Sequence, residues 1–178
     1  MIIRSPLSEK DVRKLKLGET VSLTGKIITG RDKMHLRAMG PDDKAAKNII
    51  NATVFHCGPI ISEDHEVIAA GPTTSARMNF VTPEFIRKFK VKAIIGKGGM
   101  SQEVCDAMKE VGCVYLAATG GAAVSLAEGL VVTGVEWEDL GMAEAMWLMN
   151  ANNLGPLIVA MDSNGNSLYE NVRRSLVL

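Results

Sequence analysis

Three short strings in this sequence combine a cation or a hydroxyl with small residues at spacings that suit an anionic ligand. In Gly96-Lys97-Gly98-Gly99 a lysine sits among glycines, just ahead of helix-like sequence. Glycine permits the tight strand-to-helix turn, and a Lys near a helix N-terminus is well suited to meet a carboxylate or phosphate. In Gly71-Pro72-Thr73-Thr74-Ser75-Ala76-Arg77, Arg77 follows Thr73 by one helical turn, so both could face one site. Arginine grips a carboxylate through a planar, bidentate fork. The third string is Gly30-Arg31-Asp32-Lys33-Met34-His35. Taken alone, its Arg-Asp pair reads as a surface ion pair of little energetic weight.

Other chemistries fit less well. The Gly96–Gly99 string also matches the GXXG loop of a KH-like nucleic-acid-binding module and, in degenerate form, a dinucleotide loop. Ser101, Gln102 and Glu103 follow Met100 where a KH helix needs apolar residues, and the third glycine of a dinucleotide fingerprint falls on Ser101. Cys57, Cys105 and Cys113 lack the spacing of a zinc or iron–sulfur run. Cys105 and Cys113 read as small buried hydrophobes. The three histidines form no HExxH and no GxSxG is present, so neither a metalloenzyme nor a self-contained hydrolase is indicated.

The elements around these strings read as strands alternating with helices. Ser8, Glu9 and Asp11 open a helix that Gly18 stops. Thr20 to Thr29 is a β-branched strand interrupted at Gly25. Asp42 to Asn51 reads as helix, and Ala52 to His56 and Val67 to Ala70 as short strands. Thr82-Pro83-Glu84 opens a helix with Thr82 as N-cap, running to about Phe89. Ala93 to Ile95 is a buried strand, and Ser101 starts a helix that ends at Gly112. Val114 to Ala117 is strand, Ala122 to Ala127 helix, Leu130 to Val135 strand, and Glu138 to Met149 helix. Leu157 to Met161 and Ser167 to Tyr169 flank a hairpin turn at Ser163-Asn164-Gly165-Asn166, with a helical tail from Glu170. The expectation is a single α/β domain over residues 1–178, with a mixed sheet flanked by helices.

Composition narrows the classes. The 178 residues carry 20 Lys+Arg against 20 Asp+Glu, and 47% are apolar, which excludes a disordered chain. The neutral total is uneven: residues 1–97 hold 17 basic and 10 acidic residues, and residues 98–178 hold 3 and 10. All of Arg31, Arg77 and Lys97 lie in the basic half. Eight aromatic residues and no overall basic excess argue against stacking or phosphate-tracking along nucleic acid. No apolar run reaches the ~18–20 residues of a membrane span, no secretory signal is visible, and the odd cysteine count suits a reducing cytoplasm.

Taken in order, Arg31-Asp32 with His35, His56-Cys57-Gly58-Pro59, Gly71-Pro72-Thr73-Thr74-Ser75-Ala76-Arg77-Met78, Gly96-Lys97-Gly98-Gly99 and Asp139-Leu140-Gly141-Met142 closely resemble the β subunit of two-subunit class I fumarate hydratases. The same type of chain forms the C-terminal domain of single-chain members and the β subunit of L(+)-tartrate dehydratase. The resemblance covers nearly the whole chain. Two positions depart from single-chain members: Ser75-Ala76 where these tend to have Ala-Gly, and Asn79 where they tend to have Asp.

The resemblance implies a swivelling β/β/α domain and reversible hydration of fumarate to (S)-malate. It implies a 4Fe–4S cluster held by three cysteines of a separate α subunit, with the fourth iron binding the substrate hydroxyl and a carboxylate. It implies a heterotetramer of two α and two β chains, with contact between the β chains. Arg31, Arg77 and Lys97 would grip substrate carboxylates, and Thr73 would be the base that takes the C3 proton, aided by a carboxylate of the other subunit. A threonine hydroxyl is a poor base at neutral pH and needs nearby cations and a partner carboxylate to act as one.

Overall fold

The computed structural model describes residues 1–41 and 44–176. Among these are nine strands: β1 (Ile2–Ser5), β2 (Thr20–Thr29), β3 (Thr53–Phe55), β4 (Ile60–Ile61), β5 (Val67–Ala69), β6 (Ala93–Gly96), β7 (Val114–Ala118), β8 (Leu130–Glu136) and β9 (Met146–Met161). The helices are α1 (Glu9–Val12), α2 (Asp32–Met39), α3 (Thr82–Phe89), α4 (Gln102–Val111), α5 (Ala123–Ala127) and α6 (Leu168–Leu176). The expected mixed α/β architecture with flanking helices is present.

β2, β3, β6 and β7 run parallel in sequence order, and each step along the sheet is made by a crossover carrying α2, α3 or α4. The antiparallel β9 then pairs with β7 and β8 along one edge and with β2 along the other. The pairings β2–β3–β6–β7–β9–β2 thus close a ring, with β1 and β8 attached to its flanks. Closure leaves neither edge of the parallel strands open.

Successive residues of these strands point to opposite faces, and both faces are buried. Leu23, Ile27, Phe55, Ile95, Leu116 and Val159 share one core. Their chain neighbours Ile28, Val54, Ile94 and Tyr115 belong to a second core, with Phe85 and Ile86 of α3 and Met108 of α4. Gly25 allows β1 to lie against β2: its φ is +116°, and a Cβ there would overlap the Ser5 carbonyl oxygen. The pairing of β2 with β9 shifts register on both sides of Leu23, the irregularity expected near Gly25.

Most helix boundaries follow local signals. Ser8 and Asp11 form a reciprocal capping box at α1. Gly112, left-handed at φ +72°, ends α4. Five expectations need correction. Gly18 does not stop α1, which ends at Val12 with Arg13 as its C-cap; Gly18 lies in a later turn at φ +85°. Thr82 does not cap α3; it is the first helical residue, and its hydroxyl donates to the Met78 carbonyl at 2.7 Å, tying α3 to the 3₁₀ turn Ser75–Met78. The helix expected over Asp42 to Asn51 is a 3₁₀ segment, Lys44–Ile49, with Asp42 outside the described residues. The helix expected over Glu138 to Met149 is a 3₁₀ turn, Glu138–Leu140, followed by Gly141 at φ +87° and the start of β9. Pairing with β2 and β8 overrides the helical propensity of Ala, Glu and Met there. Finally, Ser167 makes only an isolated bridge to Met161, and α6 starts at Leu168. The intervening turn is as expected, held by Asp162 Oδ1 accepting from the Asn164 and Asn166 amides.

Two strands, β1 and β4, lie where no strand was expected; both are short and follow no alternating run. No helix among the described residues is long and apolar enough to cross a membrane.

Candidate active site

Ligands of parallel α/β sheets bind beyond the carboxyl ends of the strands, where loops and helix N-termini converge. Arg31 follows β2, His56-Cys57-Gly58 follows β3, Lys97 follows β6 and Gly120-Gly121 follows β7, all at this end. Residues 71–77 are drawn into the same place. The Thr73 amide donates to the His56 carbonyl at 2.6 Å, and the Thr73 carbonyl accepts from the Lys97 amide at 3.3 Å. The Ser75 amide donates to the Lys97 carbonyl at 3.1 Å. Thr73 is therefore stitched between the tips of β3 and β6. The four residues singled out from sequence stand on connected loops at one edge of the sheet.

Each cation is held differently. Arg31 occupies the N-cap of α2 without capping it through its side chain. Its side chain is only 22% exposed, yet it donates no hydrogen bond among the described residues, and its buried Nε is without a hydrogen-bond partner. Glu144 Oε1 lies 3.5 Å from that Nε, and Glu144 Oε2 accepts from the Lys33 amide at 2.9 Å. Arg77 is half exposed and pairs with Asp32, Nη2 to Oδ2, at 2.9 Å. Lys97 is exposed and makes no ion pair among the described residues. With Glu144 as an ion-pair neighbour but no hydrogen bond made, the Arg31 donors remain free for a further anion.

Behind the loops lies a buried polar network. Tyr115 Oη donates to Ser75 Oγ at 2.9 Å, and Ser75 Oγ meets His56 Nδ1 at 2.8 Å. Ser75 accepts from Tyr115, so its own proton is free for His56 Nδ1. His35 Nδ1 donates to the Arg31 carbonyl at 2.8 Å, the ring stands edge-on to His56 with centroids 5.1 Å apart, and the Nε2 of both rings is without a hydrogen-bond partner. Burial drives the His35 pKa down to about 4, against smaller upward pulls from the Arg31 carbonyl and Asp32. Burial, with a smaller contribution from His35, holds His56 well below its ordinary value. Burial thus favours the neutral form of both rings at pH 7. Gly96 makes room for them: a Cβ there would overlap Ser75 Oγ and approach Tyr115 Oη to 3.0 Å.

The thiols do not form a ligand set. Burial pushes Cys57 and Cys113 up to about 12 and raises Cys105. Among the described residues no group of three or more His, Cys, Asp or Glu could hold a metal ion. An iron–sulfur cluster does not fit this chain's residues. The face is also open. Thr74, Arg77 and Lys97 are exposed, and a cavity of about 220 Å³ lined by Lys26, Asn48, Asn51 and Thr133 lies instead at the amino end of β3.

Sequence reasoning missed Glu144, Asp32 as the partner of Arg77, and the His56–Ser75–Tyr115 network. Glu144 lies 111 positions from the amide it accepts, with no local signal around it. Ser75 and His56 each stood in a quoted string, but only the fold brings Tyr115 to them.

Residues 2–172 match the family model described as Fumarase C-terminus. The chain belongs to this family. It is 45% identical over 178 residues to "Putative L(+)-tartrate dehydratase subunit beta" of Methanocaldococcus jannaschii, covering 96% of this chain and 91% of that one. It is 33% identical over 173 residues to the L(+)-tartrate dehydratase subunit beta of Escherichia coli strain K12, covering 94% and 85%. It is 40% identical over 178 residues to "Putative fumarate hydratase class I" of Geobacillus stearothermophilus, covering 97% of this chain but only 34% of that longer one. The Fumarase C-terminus domain thus occurs both as a chain of about this length and as one part of a larger polypeptide.

Proposed function

We propose that this chain is the β subunit of a two-subunit iron–sulfur fumarate hydratase, a hydro-lyase that interconverts fumarate and (S)-malate. The observation that carries the reading is Arg31: a side chain 22% exposed that faces Glu144 at 3.5 Å but donates no hydrogen bond among the described residues, on the same strand-end face as Arg77 and Lys97. Fumarate and malate are dianions, and three cations on three loops suit two carboxylates. Arg31 and Arg77 orient the substrate through planar pairing, Arg77 exchanging Asp32 for a substrate carboxylate. Lys97, on its glycine loop, adds a compact positive charge. Breaking a C–H bond beside a carboxylate builds negative charge on that carboxylate, and these same cations stabilise it. Thr73 takes the C3 proton through its hydroxyl oxygen while a carboxylate of the partner subunit accepts the proton the hydroxyl gives up, and the nearby cations stabilise the negative charge on that oxygen.

The 4Fe–4S cluster is assigned to the cysteine-bearing α subunit, since the thiols here are buried and form no metal-ligand group among the described residues. The active enzyme is a cytoplasmic heterotetramer of two α and two β chains with β–β contact, and residues 1–178 form one domain of the swivelling β/β/α type.

A second reading is the β subunit of an L(+)-tartrate dehydratase, favoured by the names of the relatives at 45% and 33% identity. It uses the same residues on a dianion that carries an additional hydroxyl. Anaerobic co-expression with a candidate α subunit, followed by initial rates on fumarate, malate and L-tartrate, separates the two. Turnover of fumarate and malate with little on tartrate supports the first, the reverse supports the second, and an inert complex contradicts both.

A further inference from the structure

We infer that Glu144 is a positioning residue for Arg31, setting which edge of its guanidinium is offered to the substrate; this rests on the carboxylate-binding role proposed for Arg31. The guanidinium is constrained on two of its sides. Its Nε faces Glu144 Oε1 at 3.5 Å. Its Cδ and Nη1 lie over Gly58, where a Cβ would come within 2.9 and 2.8 Å of them. With Nε turned to Glu144, a carboxylate is left the terminal nitrogens, Nη1 beside Gly58 and Nη2 with neither contact. Without Glu144, Nε competes for the ligand and the side chain gains orientations that are not productive.

Glu144 is itself well fixed. Its side chain is 15% exposed, and Oε2 accepts the Lys33 amide, one of the unsatisfied donors in the first turn of α2. It holds the helix and the arginine that precedes it through two different oxygens. These functions can be separated. A glutamine keeps a carbonyl oxygen for the Lys33 amide but removes the charge that faces Arg31. Asp32 differs: its partner Arg77 is half exposed, and water can replace the contact.

The test is a double-mutant cycle in the assembled two-subunit enzyme, using Glu144→Gln, Arg31→Ala and the double variant, with kcat and KM measured separately and thermal melts of each complex. The expected result is a KM raised about tenfold by Glu144→Gln, with the melt nearly unchanged, and no further effect of Glu144→Gln once Arg31 is alanine. Glu144→Ala, which also removes the helix-end acceptor, lowers the melt in addition. Wild-type kinetics for Glu144→Gln, alongside a damaged Arg31→Ala, overturns the inference and leaves the function standing. Full additivity of the two changes overturns it too, because Glu144 then acts on something else. If Arg31→Ala itself is harmless, the substrate-binding role of Arg31 falls first and the inference falls with it.

Discussion

Arg77 donates through Nη2 to Asp32 Oδ2 at 2.9 Å, and Asp32 is the first residue of the helix whose N-cap position Arg31 occupies. The two arginines, 46 positions apart in sequence, are thereby anchored to one helix end. The Asp32–Arg77 contact is half exposed, so it adds under about 1 kcal/mol to stability. Its value is the location it gives the guanidinium. Arg77→Ala is expected to lower kcat/KM by roughly 10²-fold in the assembled enzyme, the scale of a lost charge-assisted pair. The melt of the complex should hardly move. Kinetics close to wild type would remove Arg77 from the site.

Thr73 is held by its backbone, between the His56 carbonyl and the Lys97 amide, so its side chain can be changed without unpicking the loop. Thr73→Val keeps the β-branched shape and removes only the hydroxyl. If Thr73 is the base, kcat falls by at least ~10²-fold while KM stays near its original value. Exchange of the malate C3 proton with deuterated solvent, followed by NMR, should fall in parallel. A loss smaller than tenfold would shift the proton transfer to another group.

The buried histidines make stability depend on pH in a direction that can be worked out. His35 has a folded pKa of about 4, below its ordinary 6.5, and His56 is shifted the same way. The unfolded chain therefore binds more protons than the folded one between those values. Stability is complete above pH ~6.5 and is lost as pH falls from there toward 4, by about 1.4 kcal/mol per pH unit for His35, with His56 adding in the same direction. Denaturant unfolding at pH 7.5, 6.5, 5.5 and 5.0 reads this slope. His35→Gln should flatten it, and a wild-type stability that stays level over the range would contradict the burial of two neutral rings.

Gly96 has no room for a side chain, because Ser75 Oγ already occupies the space. Gly96→Ala is expected to displace Ser75 from Tyr115 and His56 at a cost of about 1–3 kcal/mol, as for other overpacked interiors. The denaturation midpoint should fall, and activity should drop with it because Ser75 belongs to the segment that carries Thr73 and Arg77. An unchanged midpoint would mean that the network does not bear on the loop.

Much of this architecture could be read locally. Ser101 and Gly112 bracket α4 because a helix start and a left-handed stop are written in single residues. Arg31, Thr73, Arg77 and Lys97 stood out because each lies in a short string that combines a cation or hydroxyl with glycine, hydroxyl or acidic neighbours. Residues 146–149 were misread because Met, Trp and Leu serve a helix or a buried strand equally well. Only the long pairing of β9 with β2, more than a hundred residues earlier, decides between them. Glu144 and Tyr115 were invisible for the same reason: their partners are far away in sequence and are brought to them only by the assembled fold, which no neighbouring residue announces. The local signals marked the proposed ligand-facing groups, and the long-range topology supplied the groups packed against them.

The central claim is that this chain contributes an open, cationic half of a site whose other half carries the cluster. The most direct measurement is the anaerobic rate of fumarate hydration at a fixed concentration of reconstituted α subunit as this chain is added. The expected result is no turnover from either chain alone and a rate that rises with added chain to a plateau at one β per α. Full activity from the α subunit alone, or a formed complex inert toward fumarate, malate and L-tartrate, would contradict it.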